Sequence, residues 1–225
     1  MSGIYIHIPF CKQACHYCDF HFSTNLKKKD EMVLALAKEI EMRKSEFQDE
    51  IVETIYFGGG TPSILQIADL KFLIDAVYKN YKVVENPEIT VEANPDDLTE
   101  NRIIELSNNK VNRLSIGIQS FFEDDLQLMN RAHNVEEAKK CLEIATHYFD
   151  NISIDLIYGV PEMSNEKWLQ NIETALSFGV PHISSYALTV EPKTALHSFI
   201  QKGIIPQPDD EVAQEHFQIL VDTLS

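Results

Sequence analysis

Short runs rich in β-branched and aromatic residues alternate along the chain with longer stretches whose apolar positions recur every three or four residues. The short runs predict strands at Ile4 to Ile8, Thr54 to Phe57, Ile89 to Ala93, Arg113 to Ile118, Ile152 to Ile157 and His182 to Leu188. Helical spacing is carried by Val33, Leu36, Ala37 and Ile40, by Leu70, Leu73, Ile74 and Val77, and by Ala138, Cys141, Leu142 and Ala145. A fifth helix shows Trp168, Leu169, Ile172 and Leu176, and the last shows Ala213, Phe217, Leu220, Val221 and Leu224. Regular strand and helix alternation is the pattern of repeated βα units on a mostly parallel sheet. Six units predict an α/β fold, a (β/α)6 partial barrel with its parallel sheet inside and its helices outside, built as one domain over residues 1–225. In such a series the loops that follow the strands gather on one face, and ligand chemistry is expected there.

Composition narrows the partners. A chain of 225 residues, 44% of them apolar, is long enough to bury a large core. Nineteen basic against thirty-five acidic residues leave a net charge of −16, which repels a phosphate backbone or an anionic membrane and argues against a nucleic-acid partner. No apolar run has the length of a membrane span, and the first residues lack the charged and apolar regions of a signal peptide, so the reading is a cytoplasmic protein that is not integral to a membrane. In a reducing compartment, four cysteines are read as ligands, catalysts or core residues rather than a disulfide framework. Val160-Pro161 and Ile205-Pro206-Gln207-Pro208 are too short to be linkers, and Lys27-Lys28-Lys29 reads as a solvated run before a helix.

Three of the cysteines carry the chemistry. Cys11, Cys15 and Cys18 follow the first strand directly, on the face where chemistry is expected. Spacings of four and three residues let three thiolates wrap one corner of a 4Fe-4S cube and leave the fourth iron without a protein ligand. Structural zinc is the alternative, with His7, His16 or His21 as the fourth ligand, although zinc sites show paired spacings rather than a triplet. Cys141 lies on the inward stripe of a predicted helix and reads as a small core residue.

Other loops on the same face are polar or glycine-rich. Gly58-Gly59-Gly60-Thr61-Pro62 follows the second strand, and glycines there allow backbone groups to approach a ligand closely. Glu92 ends the third strand and Gln119 the fourth, while Asp155 interrupts an otherwise apolar fifth strand. A carboxylate in that position needs a partner, and Arg131 is the available one, as an ion pair or as part of a site.

The CxxxCxxC motif after the first strand of a six-unit βα chain resembles the radical S-adenosylmethionine (SAM) superfamily, whose core is a (β/α)6 partial TIM-type barrel. The resemblance implies that Cys11, Cys15 and Cys18 hold a 4Fe-4S cluster and that the amino and carboxylate groups of SAM chelate the open iron. An electron from the cluster would then cleave the sulfonium to methionine and a 5′-deoxyadenosyl radical. Tyr5-Ile6-His7-Ile8-Pro9-Phe10-Cys11, Phe57-Gly58-Gly59-Gly60-Thr61-Pro62, the run from Asn112 to Ser120, and Asp155-Leu156-Ile157-Tyr158-Gly159-Val160-Pro161 narrow the match. They are similar to the branch holding oxygen-independent coproporphyrinogen III oxidase and its relative, the radical-SAM heme chaperone. By that match Tyr5, Gly59, Gly60, Thr61, Glu92, Gln119, Arg131, Asp155 and Ala187 fall at SAM-contacting positions, and Tyr17 near the adenine.

The two relatives differ two positions after the third cysteine, where the oxidase has a further cysteine and this chain has Phe20. Phenylalanine supplies no thiol, which disfavours oxidase activity and leaves a hydrophobic shield for the cluster. The resemblance therefore implies a chaperone that carries heme as cargo, receives electrons from a donor protein and hands heme to an acceptor protein. Such chaperones have a C-terminal domain with an HNxxYW-like heme motif. Here His133-Asn134 is followed by Val135-Glu136, so the resemblance implies an N-terminal fragment without the heme-related domain, in which His7, His133 and His182 are the candidate axial ligands.

Overall fold

In the computed structural model, which describes residues 2–46 and 50–225, six strands form one sheet in chain order. They are β1 (Ser2–Ile8), β2 (Val52–Gly59), β3 (Val83–Ala93), β4 (Arg113–Gln119), β5 (Ile152–Tyr158) and β6 (His182–Ala187). Each pairs in parallel with the next. The helices are α1 (Lys29–Met42), α2 (Ile67–Asn80), α3 (Glu100–Ser107), α4 (Glu123–Leu128), α5 (Val135–Tyr148), α6 (Asn165–Ser177), α7 (Ala195–Gln201) and α8 (Asp210–Leu224).

Alternation along the strands separates two faces. Ile6, Ile8, Ile55, Phe57, Ile89, Val91, Leu114, Ile116, Ile154 and Leu156 are buried in one core with Leu70, Leu73, Ile103, Leu142 and Trp168 of the helices. The intervening positions are polar or small: Tyr5 and His7, Tyr56 and Gly58, Thr90 and Glu92, Ser115 and Gly117, Ser153 and Asp155. That second face is the inside of the partial barrel, and its polarity marks it as a place to hold something rather than a second core.

Side-chain caps fix the starts of several helices. Asn134 and Glu137 form a reciprocal capping box at α5, and Ser164 accepts from the Lys167 N–H at α6. Cys141 lies buried on α5 as expected, where burial pushes its thiol up to about 12.

The boundaries differ from the sequence reading in places. β3 begins at Val83, well before Ile89, and β6 stops at Ala187. β2 runs on through Gly58 and Gly59, which pair with His7 and Ile8, so the glycine run starts inside the strand rather than after it. The short helices α3, α4 and α7 show too few turns for their periodicity to register. On α8, Phe217, Val221 and Leu224 face outward, and the buried residue is His216. Its Nδ1 accepts from the Gly159 N–H at 3.1 Å and its carbonyl from Trp168 Nε1 at 2.8 Å, and these bonds choose the docked face. Leu176 is exposed for a similar reason, since Asn171, Ile172 and Ala175 form the inner stripe of α6. Among the described residues no helix is long and apolar enough to cross a membrane.

Candidate functional site

The cysteine loop is pinned at both ends. Phe10 bridges Ser23 in parallel, Cys11 N–H donates to the Ser23 carbonyl at 3.1 Å, and Ser23 N–H donates to the Pro9 carbonyl at 2.9 Å. The glycine run clamps it from β2: Gly60 N–H donates to the Ile8 carbonyl at 2.9 Å and Thr61 N–H to the Phe10 carbonyl at 2.7 Å. A Cβ on Gly60 would lie 2.6 Å from the Phe10 carbonyl oxygen, so only glycine lets these two loops meet. Gly59 has φ +113°, and a Cβ there would strike the His7 ring.

The far side of the loop rests on the segment after α4. His16 N–H donates to the Met129 carbonyl at 3.0 Å, Asn130 Nδ2 donates to the Ala14 carbonyl at 2.7 Å, and Gln13 Nε2 donates to the Asn130 carbonyl at 2.8 Å. Lys12 pairs with Asp96 and Asp97 on the β3 loop. A loop without regular secondary structure thus gains its shape from three neighbouring segments.

Cys11, Cys15 and Cys18 are free and partly exposed. Burial raises the thiols of Cys11 and Cys18 above their ordinary range, and the neighbouring sulfurs raise them further; for Cys11 the Thr61 hydroxyl and Arg131 pull the other way. Three thiols that repel one another's charge, with a cation beside them, are a donor set suited to a cationic iron group. His16 is engaged elsewhere: its Nδ1 meets the Leu128 carbonyl at 2.8 Å and its ring stands edge-on to Phe199. Three cysteines on one loop, with the His16 ring turned to Leu128 and Phe199, suit three corners of a cluster better than the four ligands of a zinc ion.

Arg131 lies against the loop from behind. Its Nη1 donates to Cys15 Sγ at 3.3 Å and to the Tyr17 hydroxyl at 3.5 Å, while Nη2 donates to Asn94 Oδ1 at 2.6 Å and to the Gly117 carbonyl at 2.9 Å. Burial works against its charge, but Tyr17 and Cys15 outweigh that and its pKa is raised. Tyr17 is half-buried, and desolvation pushes its hydroxyl well above the usual tyrosine range.

Arg131 and Asp155 are not ion-paired among the described residues, contrary to the sequence reading. The guanidinium is taken up by Asn94, Gly117, Cys15 and Tyr17, and Asp155 hydrogen-bonds Ser184 on β6 instead. Burial, with the Glu92 charge second, raises the Asp155 carboxyl to about 6, and Arg131 and Arg113 only moderate this across a gap.

Glu92 is held by two donors, the Tyr56 hydroxyl to Oε1 at 2.8 Å and the Gly59 N–H to Oε2 at 3.1 Å. Tyr5 stacks on Tyr56 with ring centroids 5.8 Å apart. Gln119 closes β4 with φ +68°, at an irregular register against β5. Ala187 is exposed at the end of β6. Tyr5, Tyr17, Gly59, Gly60, Thr61, Glu92, Gln119, Arg131 and Asp155 thus surround the cysteine loop or line the barrel interior beside it, and Ala187 sits on the same rim.

The histidines separate. His133 is buried with Nε2 against the Ile118 carbonyl at 3.1 Å, and burial lowers its pKa to about 3, so it is a core residue and unavailable to an external metal. His182 begins β6, at the opposite end of the sheet from the cysteine loop, where it meets the Ser153 hydroxyl at 2.7 Å. His7 stays on the inner face, 3.3 Å from the Tyr5 hydroxyl. Phe20 is 71% exposed and lines an opening of about 460 Å³ with Cys18, Pro192, Lys193 and Thr194, so it stands at the mouth rather than packing as a shield. Asn94 and Tyr56 were not singled out in the sequence: each is a polar residue on or just past a strand, and only the fold reveals that they hold Arg131 and Glu92.

A parallel six-stranded half-barrel with a three-cysteine loop on its first strand end defines the class. Residues 5–175 match the family model described as the Radical SAM superfamily, and the chain belongs to that superfamily. Heme chaperone HemW of Bacillus subtilis (strain 168) is 38% identical over 224 residues, 98% of this chain and 59% of that protein. Heme chaperone HemW of Escherichia coli (strain K12) is 37% identical over 211 residues, 92% of this chain and 55% of that protein. The structure of coproporphyrinogen III oxidase (HemN) from Escherichia coli, described as a radical SAM enzyme, superposes with a TM-score of 0.87 at 27% identity, over 99% of this chain and 52% of that one. The chain spans between half and three fifths of the length of these relatives.

Proposed function

We propose that residues 1–225 form the cluster- and SAM-binding core of a cytoplasmic heme chaperone, with Cys11, Cys15 and Cys18 as ligands of a 4Fe-4S cluster. The observation that carries the reading is the loop itself: three free, partly exposed cysteines at the mouth of the barrel, with exposed Phe20 at the place of the oxidase's further cysteine. The likeness to chaperones of the HemW type supports heme as cargo.

SAM would lie across the strand ends. In this reading the Gly59-Gly60-Thr61 backbone borders its methionyl group, Glu92 accepts from its amino or ribose groups, and Tyr17 packs by its adenine. Tyr5, Gln119, Arg131, Asp155 and Ala187 border the rest. When bound and reduced, the cluster supplies one electron for cleavage of the SAM sulfonium. Around it, Thr61 donates to Cys11, Arg131 fixes Cys15 and Tyr17, and the apolar helix side of the sheet excludes water from below. An electron-donor protein and a heme-acceptor protein complete the proposal.

The HemN likeness favours a second reading, oxygen-independent coproporphyrinogen III oxidase. The protein, reconstituted anaerobically with iron and sulfide and supplied with reductant and SAM, separates the two. Heme bound without turnover is expected, whereas conversion of coproporphyrinogen III to protoporphyrinogen IX would establish the oxidase and refute the chaperone.

A further inference from the structure

Arg131 is more elaborately held than a charge bordering a small ligand requires. Two anchors, Asn94 Oδ1 at 2.6 Å and the Gly117 carbonyl at 2.9 Å, fix Nη2 from the β3 and β4 ends, which aims Nη1 at Cys15 Sγ, 3.3 Å away. Nε is buried with no acceptor, so the placement leaves one donor of the guanidinium unsatisfied while it serves the sulfur. An arginine cannot shed its proton to relieve this, so the positive charge stays beside the cysteine at any working pH.

We propose that Arg131 sets the reduction potential of the cluster through its N–H···S bond to Cys15, and that Asn94 is the positioning residue that keeps the bond in place. The inference rests on the reading of Cys15 as a cluster ligand. When a donor protein passes one electron to the cluster, the net negative charge on irons and sulfurs rises by one. A hydrogen bond and a fixed cation at a ligand sulfur stabilise that reduced form more than the oxidised one, and a partly buried site screens them poorly. The potential is therefore higher than that of the same cluster without Arg131.

The test is a reductive titration of the reconstituted full chain, followed by electron paramagnetic resonance of the reduced cluster, with SAM omitted so that any contact of Arg131 with SAM plays no part. In Arg131→Met the midpoint should move to more negative potential at unchanged iron content. Arg131→Lys should fall between, because it keeps the charge but loses the planar fork. Asn94→Ala should shift the midpoint the same way by less, and it carries the test if Arg131→Met loads no iron. An unchanged midpoint in iron-loaded Arg131→Met or Asn94→Ala would overturn the proposal while leaving the cluster reading intact. A parent protein with no reducible cluster would overturn both.

Discussion

The Tyr56 hydroxyl donates to Glu92 Oε1 at 2.8 Å, from the adjacent strand and on the inner face of the barrel. With the Gly59 N–H on the other oxygen, the carboxylate is fixed in orientation yet keeps lone pairs for a ligand. Tyr56→Phe removes one donor from a partly buried carboxylate, worth about 1 kcal/mol. SAM affinity of the reconstituted protein, measured by calorimetry, should fall roughly three- to tenfold on that basis, and Glu92→Gln should lose more. Equal affinity in Tyr56→Phe would place Glu92 outside the SAM site.

Asp155 has a folded-state pKa of about 6 against an ordinary 3.8, because burial and Glu92 disfavour its charge. The folded chain then binds more protons than the unfolded one between those values, so this group's contribution to stability is lost as pH rises through about 6. Asp155→Asn should be more stable than the parent at pH 7.5 by up to about 3 kcal/mol, with the advantage gone near pH 4. Urea unfolding at the two pH values reads this directly, and a destabilised variant at pH 7.5 would contradict it.

His133 and His216 act with the opposite sign. Burial lowers both, His133 to about 3, so their contribution is complete above the ordinary value of 6.5 and is lost as pH falls from there toward the folded value. The His216 Nδ1 must stay unprotonated to accept from Gly159, and it fastens α8 to the β5 end. His216→Phe should flatten the pH dependence of unfolding below pH 6.5, by at most about one proton. His133→Leu should leave heme binding unchanged, since that ring faces the core; loss of heme in a folded variant would restore it as a ligand.

Gly60→Ala places a methyl 2.6 Å from the Phe10 carbonyl oxygen and 2.9 Å from the Ile8 carbonyl oxygen, both of which are backbone and have no rotamer to yield. The loops must separate, at a cost of about 1 to 3 kcal/mol. Iron incorporation should drop even where the chain remains folded by circular dichroism. Full iron loading of this variant would show that the clamp between the glycine run and the cysteine loop is dispensable.

Strand order, the parallel sheet and the inward stripes of α1, α2 and α5 were legible from the sequence because two-residue and 3.6-residue periods report directly on burial. The cysteine loop was legible because spacing and position relative to β1 are local. What stayed hidden depended on partners far apart in the chain. Arg131 and Asp155 look like mates in the sequence, yet Asn94 and the Gly117 carbonyl lie closer to the guanidinium once β3 and β4 are side by side. On α8 the apolar residues span a broad arc, and which part docks was decided by the Gly159 and Trp168 bonds to His216, which periodicity does not contain. Glycines 58 and 59 read as part of a loop after the second strand but continue β2, because strand pairing with His7 and Ile8 outweighs their low strand propensity.

Iron and sulfide analysis of the anaerobically reconstituted chain, joined to electron paramagnetic resonance of the reduced protein with and without SAM, tests the cluster most directly. About four irons and four sulfides per chain, a reduced-state signal altered by SAM, and loss of both in Cys11→Ala, Cys15→Ala and Cys18→Ala are the expected results. Stoichiometric zinc without sulfide, or iron and SAM response undiminished in those three variants, would contradict it.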